Sequence, residues 1–116
     1  MCGILVHINS SPLCSIKEIE SSLTKRGSDH FSFSETESSS FYHALLALTD
    51  STEKSIQPLE NKHFIVLLNG EIYNHQHLRQ QHLTNYQFNS QTDTETLLAG
   101  FETLHTDFLK HLKGMF

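Results

Sequence analysis

The sequence has no cluster of lysine or arginine residues and no long hydrophobic segment. It carries 8 Lys and Arg residues against 13 Asp and Glu residues, for a net charge of -5, so it lacks the basic surface that binds nucleic acid or an anionic membrane. Its opening apolar run, residues 3–8, is far shorter than the roughly 20 residues that span a bilayer. No basic segment precedes this run as in a signal peptide. We therefore expect a cytoplasmic protein with neither nucleic acid nor a membrane as partner.

Cysteine is also scarce, since the sequence contains only Cys2 and Cys14. Nothing else indicates an oxidising compartment, so we expect two reduced thiols, with Cys14 as a small buried or half-buried residue. Histidine is abundant by contrast, and His75, His77 and His82 lie close together in the sequence. No cysteine or carboxylate around them has the spacing of a zinc site. We predict solvated helix residues there and no metal site.

The first half of the chain alternates between strand and helix patterns. With 37% hydrophobic and 18% charged residues over 116 positions, the chain is expected to form one compact globular domain. The β-branched run 2–8 predicts a strand. Ser15 and Glu18 form the S-x-x-E capping-box pattern, which predicts a helix over 16–25. The alternating segment from Phe31 predicts a second strand, which leads into a serine-rich turn.

The second half shows one clear strand and two helices. Five consecutive apolar residues, Phe64–Leu68, predict a strand that ends at an Asn-Gly pair. Thr92 and Glu95 form a second capping-box pattern, which predicts a helix over the TDTETLLAGFETL segment. DFLKHLKG predicts another helix before Gly114. The order of strand, helix, several strands and two helices indicates a mixed α/β layer structure.

Cys2 follows the initiator methionine directly in the segment MCGILVHI. If Met1 is removed, one residue carries both a thiol nucleophile and a free α-amine that can act as its base. An α-amine titrates at about 7.7 to 8.0, so a useful fraction is unprotonated near neutral pH. Gly3, which has no Cβ, lets a substrate approach closely. The alternative is a small apolar residue at the start of a strand.

The segment LLNGEIYNH has two interpretations. An Asn-Gly pair after a strand is ordinarily a hairpin turn, but the side-chain amide of Asn69 and the backbone N–H of Gly70 are also the two donors that an oxyanion needs. Glu71 places a carboxylate beside them, which is suited to bind a substrate ammonium. Asp93 is either a helix-stabilising acid in a first turn or a second carboxylate for the same ammonium. Spacing alone leaves both alternatives open.

Five motifs together resemble one known family, the class II glutamine amidotransferase domain of the N-terminal nucleophile hydrolases. The closest similarity is to the glutaminase domain of glutamine-hydrolysing asparagine synthetases. This resemblance covers the whole chain, 1–116, and implies an αββα sandwich fold. The motifs are MCGI at the start, RGSD at 26–29, LNGEIYNH at 68–75, TDTE at 92–95 and GMF at 114–116.

The resemblance also implies a reaction and its residues. Cys2 would attack the side-chain amide of glutamine, form a thioester and release ammonia. Asn69 and Gly70 match the family's oxyanion-hole positions, whereas Glu71 and Asp93 match positions that orient the α-amino group. This step needs no cofactor, because ATP and Mg²⁺ serve a separate synthetase domain or subunit. That synthetase domain is absent from this chain.

Two departures from the family pattern bear on activity. Leu45 stands where the family has an arginine that grips the substrate α-carboxylate, and Arg26 belongs to a separate, largely structural motif and is not expected to compensate. The chain also stops at GMF, where the family pattern enters another core strand. We expect a fragment of a longer product, and the alternative is a partner that supplies the missing half. The sequence thus predicts a glutaminase, with a catalytically weakened relative that acts in binding or assembly as the alternative.

Overall fold

The computed structural model describes residues 2–9, 14–47 and 56–116. The chain divides into two compact units, unit 1 at residues 1–58 and unit 2 at residues 59–116. Helices and strands occur in both units, which confirms the mixed α/β class. The αββα sandwich and its truncation stay predictions. None of the helices in the described part is long and apolar enough to cross a membrane.

Unit 1 contains a three-stranded antiparallel sheet in the order β1-β3-β2. The strands are β1 at Gly3–Ile8, β2 at His30–Glu35 and β3 at Ser39–Leu45. Each residue of β1 pairs with β3, from Gly3 opposite Ala44 to Ile8 opposite Ser39. The predicted serine-rich turn is shorter than expected, because the serines from Ser39 onward already belong to the central strand.

Helix α1 spans Ile16–Leu23 and begins as predicted. Ser15 accepts a hydrogen bond from the backbone N–H of Glu18, and the Glu18 carboxylate accepts one from the backbone N–H of Ser15. The helix ends two residues earlier than predicted, because Thr24 is its C-cap and a turn over residues 24–26 follows. Cys14, just before the helix, is exposed, so the prediction of a buried or half-buried thiol is wrong.

The two largest fully buried side chains of unit 1 lie on the central strand. Tyr42 packs among the aromatic rings of Phe31, Phe33 and His7. His43 points to the opposite face of the sheet and is also completely buried. Neither ring nitrogen of His43 has a hydrogen-bond partner among the described residues. Burial, with a smaller contribution from the nearby His30, lowers the pKa of His43 to about 4.

Unit 2 contains two small antiparallel strand pairs. Strand β4 at Leu59–Glu60 pairs with β5 at Ile65–Val66, and β6 at Glu71–Ile72 pairs with β7 at Gly114–Met115. The predicted strand over Phe64–Leu68 is therefore too long. Its partner β4 is only two residues long, so the ladder ends before Leu68, whose side chain enters the core instead.

Three helical segments complete unit 2. They are α2 at His75–His82, α3 at Asp93–Leu104 and a 3₁₀ helix at His105–His111. The last was predicted as a helix and is a 3₁₀ helix, whose Phe108 packs directly against Gly100, where a Cβ atom would overlap the ring. The buried core of this unit comprises Leu68, Ile72, Leu78, Leu83, Leu97, Ala99 and Phe108.

Candidate active site

The predicted nucleophile lies in unit 1, immediately before strand β1. Cys2 is half-buried and its thiol is free. The backbone N–H of Leu46, the residue that directly follows β3, donates to Cys2 Sγ at 3.5 Å. The end of β3 therefore fixes the position of the sulfur.

The RGSD motif, predicted to be largely structural, contacts the nucleophile directly. Arg26 Nε donates to the carbonyl oxygen of Cys2 at 3.2 Å. Gly27 is buried so close to β3 that a Cβ atom would overlap the carbonyl group of Ala44. Only glycine at this position lets the arginine approach the start of β1 without displacing the central strand. Sequence reasoning missed Arg26, and its fixed place in RGSD was the available signal.

Asp29, the last residue of the same motif, holds the segment that follows β3. Its backbone N–H donates to the carbonyl of Leu45 at 3.0 Å, and its Oδ2 accepts from the N–H of Ala47 at 2.7 Å. Leu46, which contacts Cys2 Sγ, lies between these two anchored residues. Asp29 thus fixes the backbone donor that positions the sulfur.

Position 45 directly precedes the residue whose backbone N–H contacts Cys2 Sγ. Leu45 is half-buried at the end of β3, opposite His30. Its neighbour Leu46 carries the N–H that reaches the sulfur. The position where the resemblance places an arginine is therefore occupied by an apolar side chain. It is one residue away from Leu46, which contacts Cys2 Sγ.

The other predicted residues lie in unit 2, and the first of them form a bend between two strands. Asn69 and Gly70 connect β5 to β6, which do not pair with each other. The hairpin interpretation of this Asn-Gly pair is therefore wrong. Gly70 is exposed and Asn69 half-buried. The side-chain Oδ1 of Asn69 is buried and has no hydrogen-bond partner among the described residues.

The bend and the strand that follows it pack against residues 111–115. A Cβ atom on Gly70 would overlap the backbone of Met115. Asn74 Nδ2 donates to the carbonyl of His111 at 2.9 Å, and Asn74 Oδ1 accepts from the N–H of Lys113 at 2.8 Å. The side-chain amide of Asn74 imitates a peptide group in this way and extends the β6–β7 pairing.

Asp93 reaches the same region from the start of α3. Its Oδ2 accepts from the N–H of Ile72 at 2.9 Å, and its Oδ1 accepts from the N–H of Thr94 at 2.8 Å. The carboxylate thus stabilises the first turn of the helix and also holds the strand that contains Glu71. The structure brings Asn69, Gly70, Glu71 and Asp93 together, whereas Cys2 belongs to unit 1.

His75 lies beside both carboxylates. Burial lowers its pKa, and the charges of Asp93 and Glu71 oppose that shift. The ring is half-buried, and Nδ1 is buried without a partner among the described residues, so the prediction of a solvated histidine is wrong for His75. His77 is exposed, as predicted.

Only one of the two hydrogen bonds of the predicted Thr92–Glu95 capping box is present. Thr92 Oγ1 accepts from the N–H of Glu95 at 3.3 Å. The Glu95 carboxylate, which was expected to bond back to Thr92, accepts instead from the N–H groups of Asn89 and Ser90 at 2.8 and 2.7 Å. Glu95 is only 4% exposed, because the preceding loop folds over it. The described residues contain no group of three or more His, Cys, Asp or Glu side chains that could hold a metal ion.

Comparisons with known proteins agree with these features. The model of a glutamine amidotransferase domain family matches residues 1–116. Asparagine synthetase [glutamine-hydrolyzing] 1 of Lotus japonicus is 35% identical over all of this chain and 21% of its own length. The protein of the same name from Bacillus subtilis is 32% identical over all of this chain and 20% of its length. Asparagine synthetase B of Escherichia coli is 35% identical over 85% of this chain and 18% of its length.

The chain spans about one fifth of the length of these relatives. Its similarity to them extends over all or most of its own residues, and the family model covers every position. The chain belongs to the glutamine amidotransferase domain family.

Proposed function

We propose that this chain hydrolyses the side-chain amide of glutamine to glutamate and ammonia, with Cys2 as the nucleophile. Family membership supports glutamine as the substrate. The observation that carries the proposal is the pair of carboxylates, Glu71 and Asp93, beside the Asn69–Gly70 bend. Cys2 provides the nucleophile that such chemistry needs, with its sulfur held by the N–H of Leu46 and its carbonyl oxygen by Arg26.

The reaction begins once Met1 has been removed. The α-amine of Cys2 takes the thiol proton, and Sγ attacks the amide carbon of glutamine. The side-chain N–H of Asn69 and the backbone N–H of Gly70 stabilise the negative oxygen of the tetrahedral intermediate. The α-ammonium of Cys2 then donates this proton to the amide nitrogen of the intermediate. The C–N bond breaks and ammonia is released. Water then attacks the thioester, which yields glutamate and regenerates the thiol.

Glu71 and Asp93 bind the α-ammonium of glutamine in this proposal. Each oxygen of Asp93 already accepts one backbone N–H, but a carboxylate has about four lone-pair sites and can accept more. Glu71 is exposed on β6 and lies in the strand that Asp93 holds. The two carboxylates together select a substrate with a positive charge at that end.

A specific observation favours a second candidate, a catalytically weakened relative that acts in binding or assembly. Leu45 offers no charge to the substrate α-carboxylate, and a charge-assisted hydrogen bond is worth roughly 1.5 to 3 kcal/mol. Its loss weakens glutamine binding by roughly tenfold to a few hundredfold. A high KM for glutamine would distinguish this candidate from an efficient enzyme.

The relatives carry names that join glutamine hydrolysis to asparagine synthesis. We propose that ammonia from this chain passes to a synthetase domain or subunit in the cytosol. ATP and Mg²⁺ would act there, because the glutaminase step needs neither.

Intact-mass spectrometry before and after 6-diazo-5-oxonorleucine, a glutamine-like electrophile, tests the proposal. We expect a protein that lacks Met1 and gains one adduct, and a Cys2→Ala variant that gains none. The KM for ammonia release from glutamine then separates the two candidates. A retained methionine, or a processed chain that takes no adduct, would contradict the glutaminase proposal.

A further inference from the structure

Arg79 on α2 binds the loop that leads into α3 and the first turns of α3 itself. Its Nη1 donates to the carbonyl of Ser90 at 2.8 Å, and its Nη2 donates to the carbonyl of Thr92 at 2.6 Å. Its Nε donates to Thr96 Oγ1 at 2.7 Å. The guanidinium also lies over the ring of Phe88, 3.8 Å from its centroid. Three hydrogen bonds and one cation–π contact thus fix this single side chain.

Glu95 holds the same loop through its backbone donors. Its two oxygens accept from the N–H groups of Asn89 and Ser90, and Ser90 Oγ donates to it at 2.6 Å. Arg79 binds carbonyls where Glu95 binds N–H groups, so the loop over 88–92 is restrained on both kinds of backbone group. Burial lowers the pKa of Arg79, and the charges of Glu95 and Asp93 oppose that shift.

The restrained loop ends at the residue before the proposed ammonium ligand. Thr92, whose carbonyl Arg79 binds, is the N-cap of α3 and is followed directly by Asp93. Asp93 can keep its 2.9 Å bond to the N–H of Ile72 only while the N-terminus of α3 stays in register with β6. A lysine at position 79 could reach one carbonyl but could not bridge three acceptors with a planar fork.

We propose that Arg79 is a positioning residue for substrate recognition, which holds Asp93 where it binds the α-ammonium of glutamine. This inference rests on the proposed function and adds a residue to it. Arg79 touches neither the reacting amide nor the nucleophile in this role. Its loss therefore impairs recognition of the amino group more than the chemical step.

The test compares two substrates in the full chain. Glutaramate is the glutamine analogue that lacks the α-amino group, so a displaced Asp93 does not affect its binding. We expect Arg79→Lys to lower kcat/KM for glutamine by roughly 10- to 100-fold, mainly through KM. The value for glutaramate should change less than about threefold, since the catalytic groups stay in place.

Two further variants calibrate this result. Asp93→Asn should reduce the preference for glutamine over glutaramate in the same direction, and the double variant should lose little more than the larger single effect. Lys62→Met removes an exposed positive charge of unit 2 and should leave the preference unchanged. An equal loss for both substrates in Arg79→Lys would show a merely structural role and overturn the inference.

A second measurement works without turnover. The ¹H–¹⁵N spectrum reports the hydrogen bond from Ile72 N–H to Asp93, and Arg79→Lys should shift this amide resonance toward its position in Asp93→Asn. If the wild type hydrolyses neither substrate, the proposed function fails, and a shifted Ile72 resonance still establishes that Arg79 positions Asp93. An unshifted Ile72 resonance would overturn the positioning role whatever the activity.

Discussion

The two units place their predicted functional groups by different means. In unit 1 the nucleophile is fixed mostly through the backbone: Leu46 N–H on the sulfur, Arg26 on the carbonyl of Cys2, and Asp29 on the segment beyond β3. In unit 2 the proposed ammonium ligand, Asp93, follows a loop that is held by the half-buried Arg79 and the buried Glu95.

One buried polar side chain in each unit illustrates a second contrast. His43, at the centre of the unit 1 sheet, has two ring nitrogens without a partner among the described residues. Glu95, at 4% exposure in unit 2, accepts three hydrogen bonds. A buried polar group with its partners rigidifies its surroundings, whereas one without them costs stability. The units should therefore respond oppositely when these groups are removed.

Glu95→Ala should have the largest effect on stability. It leaves the N–H groups of Asn89 and Ser90 without their acceptor and removes the negative charge near Arg79, so we expect a loss of about 3 to 4 kcal/mol in the free energy of unfolding. Urea unfolding followed by circular dichroism measures it. Glu102→Ala, on the same helix but exposed, should cost less than about 1 kcal/mol. Equal losses would contradict the contrast between the units.

His43 should make unit 1 sensitive to acid. The unfolded histidine binds a proton below about pH 6.5, whereas the folded one does so only below about 4, so its contribution to stability is complete above pH 6.5 and is lost as the pH falls toward 4. The loss amounts to about 2 to 3 kcal/mol. Urea unfolding at pH 7 and pH 4.5 measures it.

His43→Leu should reduce this pH dependence and leave the stability at pH 7 unchanged or higher, because the ring makes no hydrogen bond to the described residues that could be lost. His77→Gln, at an exposed position, serves as the control and should retain the wild-type dependence. A His43→Leu protein that loses as much stability in acid as the wild type would show that other groups carry the effect.

Leu45→Arg tests the unit 1 side of substrate binding. A guanidinium at position 45 would supply the positive partner that the substrate α-carboxylate lacks in the wild type. The KM for glutamine should therefore fall by roughly tenfold or more. Leu45→Met is the matched control, which lengthens the side chain without a charge and should leave KM within about twofold. An unchanged KM in Leu45→Arg would sink this account of position 45.

Local patterns predicted the local structure well. The Ser15–Glu18 capping box formed because both partners lie within one helical turn, and the run at Gly3–Ile8 formed a strand that its own β-branched content favours. The same kind of pattern failed at Glu95, because the donors of Asn89 and Ser90 compete for its carboxylate and only the folded loop brings them near. The length of β5 failed too, since a strand extends only as far as its partner.

The sequence identified some residues of the candidate site and missed others. The resemblance singled out Asn69, Gly70, Glu71 and Asp93, and the fold brings these four into one region of unit 2. Their roles, and that of Cys2, stay predictions. Arg79 was missed, because its partners Ser90 and Thr92 are backbone carbonyls, which carry no signature in the side-chain sequence.

The smallest expected effect concerns the turn between α3 and the 3₁₀ helix. His105 has φ 51 and ψ -139, a conformation that L residues other than glycine adopt at a cost of about 1 to 3 kcal/mol. His105→Gly relieves this strain but adds freedom to the unfolded chain, worth roughly 0.5 to 1 kcal/mol, so we expect a net gain of about 1 kcal/mol in urea unfolding. His105→Ala keeps the Cβ atom and should give no gain.

Asn9 of unit 1 has a similar φ of 55, but asparagine tolerates this region, so Asn9→Gly should gain less than His105→Gly. An equal gain at the two positions would mean that side-chain identity does not determine the strain, and this difference between the units would disappear.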